Sequence, residues 1–265
     1  MPAMNDSCEN TAAHCPPWYL LSLRPRGGHA AMRRAATRVG GRVLALSPWR
    51  LQPRDDDLTR RQLALALDAE RIIFTSPAAV RAAAALAPLR ATAGGTLLAV
   101  GAGTAGALHR HGAGQVLAPS RMDSEGLLAL PALAALHGLR AGLVTAPGGR
   151  GLIAAQLQAR GATLIRADVY ERIAVPLPAA SLHRLAHLRA PAVLALSSGE
   201  ALERVLPQLT PELLARWRRM PVVAAGPRLA DHARQSGFSR VHTAAGPMPR
   251  QLADAARAAI EAMQG

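Results

Sequence analysis

The sequence predicts an α/β protein made of two parallel β-sheet units with helices on both sheet faces. Short apolar runs of β type alternate with Ala/Leu/Arg segments of helical period, the pattern of successive βαβ units. The runs are continuously apolar rather than alternating, which implies strands buried on both faces. The chain also repeats itself in a fixed order, so two copies of one five-strand unit account for nearly all of it.

The expected strands are Tyr19–Leu23, Val43–Leu46, Ile72–Thr75, Leu97–Val100, Gln115–Ala118, Gly142–Thr145, Thr163–Arg166, Val193–Ser197, Val222–Ala225 and Arg240–Thr243. Helices follow most of them. Asp55–Asp57 supply negative charge and a side-chain cap to a helix running to Asp68. Two further helices are expected over Ser124–Leu136 and Thr210–Arg218.

The duplication rests on three pairs of segments. LSLRPRGGHAAMRRAATRVGGRVLAL is similar to VTAPGGRGLIAAQLQARGATLIRA, with Pro25 against Pro147, 122 positions on. IIFTSPAAVRAAAAL is similar to VLALSSGEALERVL, with Ser76 against Ser198, again 122. LLAVGAGTAGALHRHGAGQVL is similar to VVAAGPRLADHARQSGFSRVH, with Gly101 against Gly226, 125 positions on. Each copy also breaks after its second strand, at Pro48 and Pro53 in one and at Pro176 and Pro178 in the other. Proline there removes ladder donors and stiffens the chain. Two architectures fit: consecutive domains, or a chain that crosses between domains at the prolines.

Composition narrows the function. All 31 basic residues are Arg, against 17 Asp and Glu, giving a net charge of +14. A basic surface suits a polyanion. The arginines are scattered, without an aromatic-interleaved stripe, which argues against nucleic acid. The only cysteines, Cys8 and Cys15, suggest neither a disulfide scaffold nor a zinc site and fit a reducing cytoplasm. Residues 1–15 lack an apolar core and read as a disordered tail or a mis-assigned start, not a signal peptide. The longest uncharged run, Ala91–Leu108, reads as strand, turn and helix rather than a membrane span.

Several motifs have a chemical reading. Gly101, Gly103 and Gly106 form G-x-G-x-x-G after a strand. A dinucleotide site also needs an acid near the end of the next strand, which here ends Ala118-Pro119-Ser120. What remains is a tight turn and helix N-terminal amides that suit a carboxylate. Ser76 and Ser198 end strands and precede helices. They suit N-caps, and they also lie at carboxyl strand ends, where α/β proteins bind ligands. Arg24 and Arg150 follow matching strands, beside Pro25 and Gly149, and each suits bidentate carboxylate binding. His183 and His187 stand four apart on a helix, without a third ligand, so they read as a solvated face. Tyr170 lies just past a strand end, next to the second proline break. If that break is a hinge, its phenol projects between domains; otherwise it is a packing residue.

Taken in order, LRP, FTSPAAV, VGAGTAGAL, SEGLL, GGRG with RGA, VYER, LSSGEAL and PVVAAGPRLADHA resemble the motifs of uroporphyrinogen-III synthases, from about Leu20 to about Arg257. The resemblance implies two flavodoxin-like domains joined by a two-strand connector, and it selects the crossed architecture. Residues 16–47 with 177–265 then form domain one, 54–170 form domain two, and 48–53 and 171–176 connect them. It further implies a monomeric cytoplasmic lyase that needs neither cofactor nor metal. The implied substrate is hydroxymethylbilane, a linear tetrapyrrole with eight carboxylates, cyclised with loss of water and inversion of ring D. Tyr170 matches the family tyrosine proposed to assist departure of the hydroxyl. Thr104, Ser76, Ser198 and Gly226 match family-motif positions, and with Arg24, Gly101, Gly149 and Arg150 they make the expected substrate-binding set. Leu229 stands where many relatives carry Thr, which weakens that contact. The alternative is a non-catalytic two-domain protein that binds a small anion.

Overall fold

The computed structural model describes residues 18–91, 94–148 and 151–263. The expected tail 1–15, Cys8, Cys15, Gly149 and Arg150 lie outside the described residues. In chain order the strands are β1 (Trp18–Ser22), β2 (Gly41–Ala45), β3 (Trp49–Pro53), β4 (Arg71–Phe74), β5 (Thr96–Ala99), β6 (Val116–Leu117), β7 (Arg140–Thr145), β8 (Thr163–Asp168), β9 (Tyr170–Ala174), β10 (Ala192–Leu196), β11 (Val222–Ala224) and β12 (Val241–Thr243). The helices are α1 (Ala30–Arg38), α2 (Asp57–Leu67), α3 (Pro77–Ala84), α4 (Ala102–Arg110), α5 (Ser124–Leu128), α6 (Leu152–Ala159), α7 (Ala179–Ala186), α8 (Gly199–Val205), α9 (Pro211–Arg218), α10 (Pro227–Gln235) and α11 (Pro249–Glu261).

All ten expected strands form, each within two residues of its expected bounds. The uncharged run becomes β5, a turn and α4. One expected helix is wrong. Ser124–Leu136 does not continue past Leu128: α5 ends there, and Pro131 starts a separate 3₁₀ turn over Pro131–Leu133. Proline has no N–H for the helical ladder and clashes with the preceding turn, so it stops the helix.

The chain divides into two compact units, one of Met1–Pro48 with Pro176–Gly265 and the other of Trp49–Val175. The first holds a parallel sheet in the order β12-β11-β10-β1-β2, and the second a parallel sheet in the order β6-β5-β4-β7-β8. Position by position these are the same sheet, since β7 and β8 repeat β1 and β2 while β10, β11 and β12 repeat β4, β5 and β6. Each sheet therefore joins strands from both sequence copies. Numbered along the chain within each unit, the first sheet has the flavodoxin-like order 2-1-3-4-5, and the second has 3-2-1-4-5, the same arrangement entered at a different strand. β3 and β9 pair antiparallel as a separate ribbon, with Trp49 opposite Ala174 and Pro53 opposite Tyr170.

Burial on both faces explains the continuous apolar strands. In β4, Ile72 and Phe74 join one cluster with α2 and α3 residues such as Leu63 and Val80. Ile73 points the other way, into a cluster with Leu127, Leu143 and Leu157. Helix caps follow the local sequence: Asp56 accepts from the Thr59 N–H at 2.8 Å and from its hydroxyl at 2.9 Å. These bonds hold the Asp56 carboxyl below its usual range, the backbone bond most strongly. In β7, Gly142 lets α2 approach, because a Cβ there would sit 2.0 Å from the Ala66 carbonyl oxygen. Gly142→Ala is expected to cost about 2 kcal/mol through overpacking, read as a lower urea midpoint.

Candidate functional site

Doubly wound sheets bind ligands at the carboxyl ends of the strands, where the strand order reverses. In the second unit the reversal lies between β4 and β7. From β4 the chain passes through α3 to β5, and from β7 it passes through α6 to β8 on the opposite side. Thr75 and Thr145 straddle this point, with Thr75 Oγ1 donating to Thr145 Oγ1 at 2.7 Å. A crevice of about 190 Å³ opens there, lined among others by Ser76, Ser124, Gly151, Arg166 and Tyr170.

The structure brings together two of the expected site residues. The Tyr170 hydroxyl lies 3.2 Å from Ser76 Oγ. Ser76 also N-caps α3, accepting from the Ala79 N–H at 3.1 Å, and Pro77 occupies the first helical position. The two readings of Ser76 therefore coexist. Tyr170 is only 6% exposed, and its ring belongs to the core cluster beneath the crevice. Packing fixes the ring, and the serine fixes the hydroxyl. One lone pair of Ser76 is taken by the helix amide. If Ser76 donates its own proton to Tyr170, the phenol proton is left for a ligand.

Two arginines line the walls, and the charge of Arg166 is balanced by Asp168. Arg166 binds both Asp168 carboxylate oxygens through Nε at 3.0 and 3.1 Å and donates from Nη2 to the Ala146 carbonyl at 3.0 Å. Arg172 lies over the Trp49 ring, 5.7 Å from its centroid, across the β3–β9 ribbon. Arg166, Arg172, Thr75 and Thr145 were not expected from the sequence. Only Thr75 and Arg172 left a local signal, as neighbours of Ser76 and Tyr170; Arg166 and Thr145 reach the crevice through the strand order.

The GAGTAG segment has a packing explanation. Gly101 caps α4, and a Cβ there would meet Met122 side-chain atoms at 3.0 Å. Thr104 sits in the first turn of α4 at 2% exposure, and its N–H donates to the Gly101 carbonyl at 3.0 Å. The next strand, β6, carries no acid to hold a ribose.

The remaining expected residues lie in the first unit. Ser198 caps α8, accepting from the Ala201 N–H at 3.3 Å, and Gly226 caps α10. Ser198 opens onto a depression of about 550 Å³ lined by Glu200, Glu203 and Asp231 together with Arg228 and His232, with Glu200 paired to Arg204 and Asp231 to Arg234. Leu229, at the position where relatives carry Thr, lines the same depression. Arg24 is largely buried, with Nε lacking a hydrogen-bond partner among the described residues, and burial lowers its proton affinity. Beside it is a group the sequence reading missed. His29, 6% exposed, is bound through Nδ1 to Ser22 Oγ at 3.0 Å and through Nε2 to Ser47 Oγ at 2.7 Å. Burial first, then Arg33 and Arg24, push its pKa down to about 4, so the ring is neutral. The His183 and His187 rings lie 4.1 Å apart, tilted by 31°, and His187 Nδ1 bonds the His183 carbonyl at 2.9 Å. Among the described residues no group of three His, Cys, Asp or Glu side chains is placed to hold a metal ion, and no helix is long and apolar enough to cross a membrane.

Fold and site define a duplicated, doubly wound α/β protein with a hydroxyl-lined ligand crevice at a switch point. A family model described as Uroporphyrinogen-III synthase HemD matches residues 30–254, and the chain belongs to the uroporphyrinogen-III synthase family. The uroporphyrinogen-III synthases of Salmonella typhimurium and Escherichia coli are both 35% identical to it, over 149 and 150 residues. These matches span 55% of this chain and only 60% of either relative. The fold is similar to that of a mutant uroporphyrinogen III synthase from Thermus thermophilus, with a TM-score of 0.56 and 19% identity over 92% of this chain and 99% of that one. It is also similar to the uroporphyrinogen-III synthetase of Helicobacter pylori, with a TM-score of 0.54 and 13% identity over 89% and 97%.

Proposed function

We propose that this chain is itself a uroporphyrinogen-III synthase, a lyase of tetrapyrrole biosynthesis that cyclises hydroxymethylbilane. The observation that carries the proposal is the Tyr170–Ser76 contact of 3.2 Å at the carboxyl ends of the central strands. Tyr170 gives its phenol proton to the departing hydroxyl, which leaves as water while the pyrrole nitrogen lone pair stabilises the azafulvenium cation, and the phenolate takes back the proton that the ring carbon later loses. Ring D attacks through its substituted carbon, and the spiro intermediate fragments and recloses with the ring inverted. Loss of a proton restores aromaticity. The remaining work is to hold a flexible polyanion in one fold, which is catalysis by positioning.

In this reading domain one comprises 16–47 with 177–265 and domain two comprises 54–170. Arg24, Gly101, Gly149, Arg150, Ser198 and Gly226 supply donors to carboxylates, with the buried Thr104 supporting the first turn of α4, and the enzyme works as a cytoplasmic monomer. The test is incubation with freshly made hydroxymethylbilane and separation of the type I and type III products. Type III product is expected. Type I alone, at the spontaneous rate, would overturn the proposal, and tight binding of the bilane without turnover would favour an anion-binding protein.

A further inference from the structure

We infer that a pocket at the amino ends of β10 and β11 in the first unit is a binding site for a small apolar carboxylate, one acid group on a hydrocarbon or aromatic body. The pocket holds about 240 Å³ between α7, α9 and the starts of the two strands. That is below the roughly 300–1,000 Å³ of a site for a drug-sized ligand, so the body is small. Leu185, Leu188, Leu213 and Met220 supply apolar walls. Arg189, Arg216 and Arg219 supply charge, and among the described residues no acidic side chain lines the pocket. Arg216 is held in place by the Ala186 and Leu188 carbonyls, to which it donates. The site is separate from the residues assigned to the bilane. Ser198 and Gly226 follow the opposite, carboxyl ends of the same strands.

Two independent observations point to a ligand. The first is Trp217. Its side chain is 0% exposed and forms part of the pocket wall, yet its indole N–H has no acceptor among the described residues. An indole can only donate, and buried donors in folded proteins are nearly always paired. A carboxylate oxygen is the kind of partner this group lacks. The second observation comes from the duplication. In the second unit, Asp68 and Glu70 stand in the turn from α2 to β4, and their carboxylates bind Arg140 at 3.0 and 3.3 Å. That end of the sheet carries its own anions. The matching residues 122 positions on are Ala190 and Ala192, and both line the pocket. The first unit also adds α9, where the offset between the copies widens from 122 to 125 positions, and α9 brings Leu213, Arg216 and Trp217. Where the second unit has two carboxylates, the first has a cavity, three arginines and an orphaned donor. A carboxylate from outside the chain completes it.

The probe is phenylacetate, titrated into the full isotope-labelled chain while the indole N–H resonances of its three tryptophans are followed by NMR. Saturable movement of the assigned Trp217 resonance is expected, with a Kd of about 1 mM or tighter. Phenylethanol has a similar body without the charge and should bind about tenfold more weakly. The double variant Arg189→Gln with Arg219→Gln should also bind phenylacetate about tenfold more weakly. Both side chains are exposed, so the fold should hold. Type III product should form in this variant with unchanged kcat and KM, because neither arginine belongs to the set assigned to the bilane. Equal affinity for acid and alcohol, full affinity in the double variant, or a Trp217 resonance that stays still would each overturn the carboxylate site. A raised KM for the bilane would overturn its separation from the substrate.

Discussion

Tyr170→Phe is expected to lower kcat for type III product by about 100-fold or more, the scale of a lost proton donor. The fold should survive. The ring sits in the core and the substitution keeps it. The hydroxyl is held by its contact with Ser76, and a single hydrogen bond is worth about 1 kcal/mol. A melting curve near that of the wild type, with type III product greatly reduced, would place the loss in chemistry rather than folding. Ser76→Ala separates orientation from donation. It removes the partner that holds the phenol and also the α3 cap, so a stability loss of about 1 kcal/mol accompanies a smaller fall in kcat. Ser76→Thr keeps an oxygen for both partners and should recover most of the rate. Unchanged kinetics in Tyr170→Phe would show that the phenol is dispensable and would move the search for a proton donor to the crevice hydroxyls.

Much of this site was legible because strand ends are local. FTSP marks a strand end, a cap and a first-turn proline within four residues, so Ser76 could be placed without a fold. Thr145, in contrast, reaches the site only because β7 lies beside β4, a pairing of segments 70 residues apart. Arg166 comes from inside β8 and is aimed by Asp168 and the Ala146 carbonyl, neither of which a linear reading connects to Ser76. The crossed architecture was likewise undecidable from offsets alone. Equal spacing of two copies fits either consecutive units or strand exchange, and only the order β10-β1 against β4-β7 distinguishes them. The helix over Ser124–Leu136 failed for a local reason, because apolar periodicity outweighed Pro131 in the reading.

His29 was invisible for a different reason: nothing in GGHAAM says that its ring is buried. Its geometry leads to a stability prediction. Both ring nitrogens meet serine hydroxyls, so a neutral ring accepts one hydrogen bond and donates one, which the two hydroxyls can match. Protonation would bury a cation beside Arg33 and Arg24. The folded pKa of about 4 lies below the ordinary 6.5. Between these values the unfolded chain binds more protons at this site than the folded chain does, so stability rises with pH there. The contribution is fully present above pH 6.5, declines as the pH falls, and is gone below about 4. The full effect is about 3 kcal/mol, since each tenfold difference in proton affinity is worth about 1.4 kcal/mol. Urea midpoints for wild type and His29→Gln at pH 7.5, 5.5 and 4.5 check it. The amide can also bond both serines but does not titrate, so the variant should lose less stability on acidification. The gap between the two proteins should narrow steadily as the pH drops. Parallel curves would mean that acid destabilisation comes from carboxylates such as Asp56, whose bonded form also favours the folded chain at higher pH. In that case the buried ring would be exchanging protons without cost to the fold, and the neutral Ser22–His29–Ser47 bridge would not describe the native state.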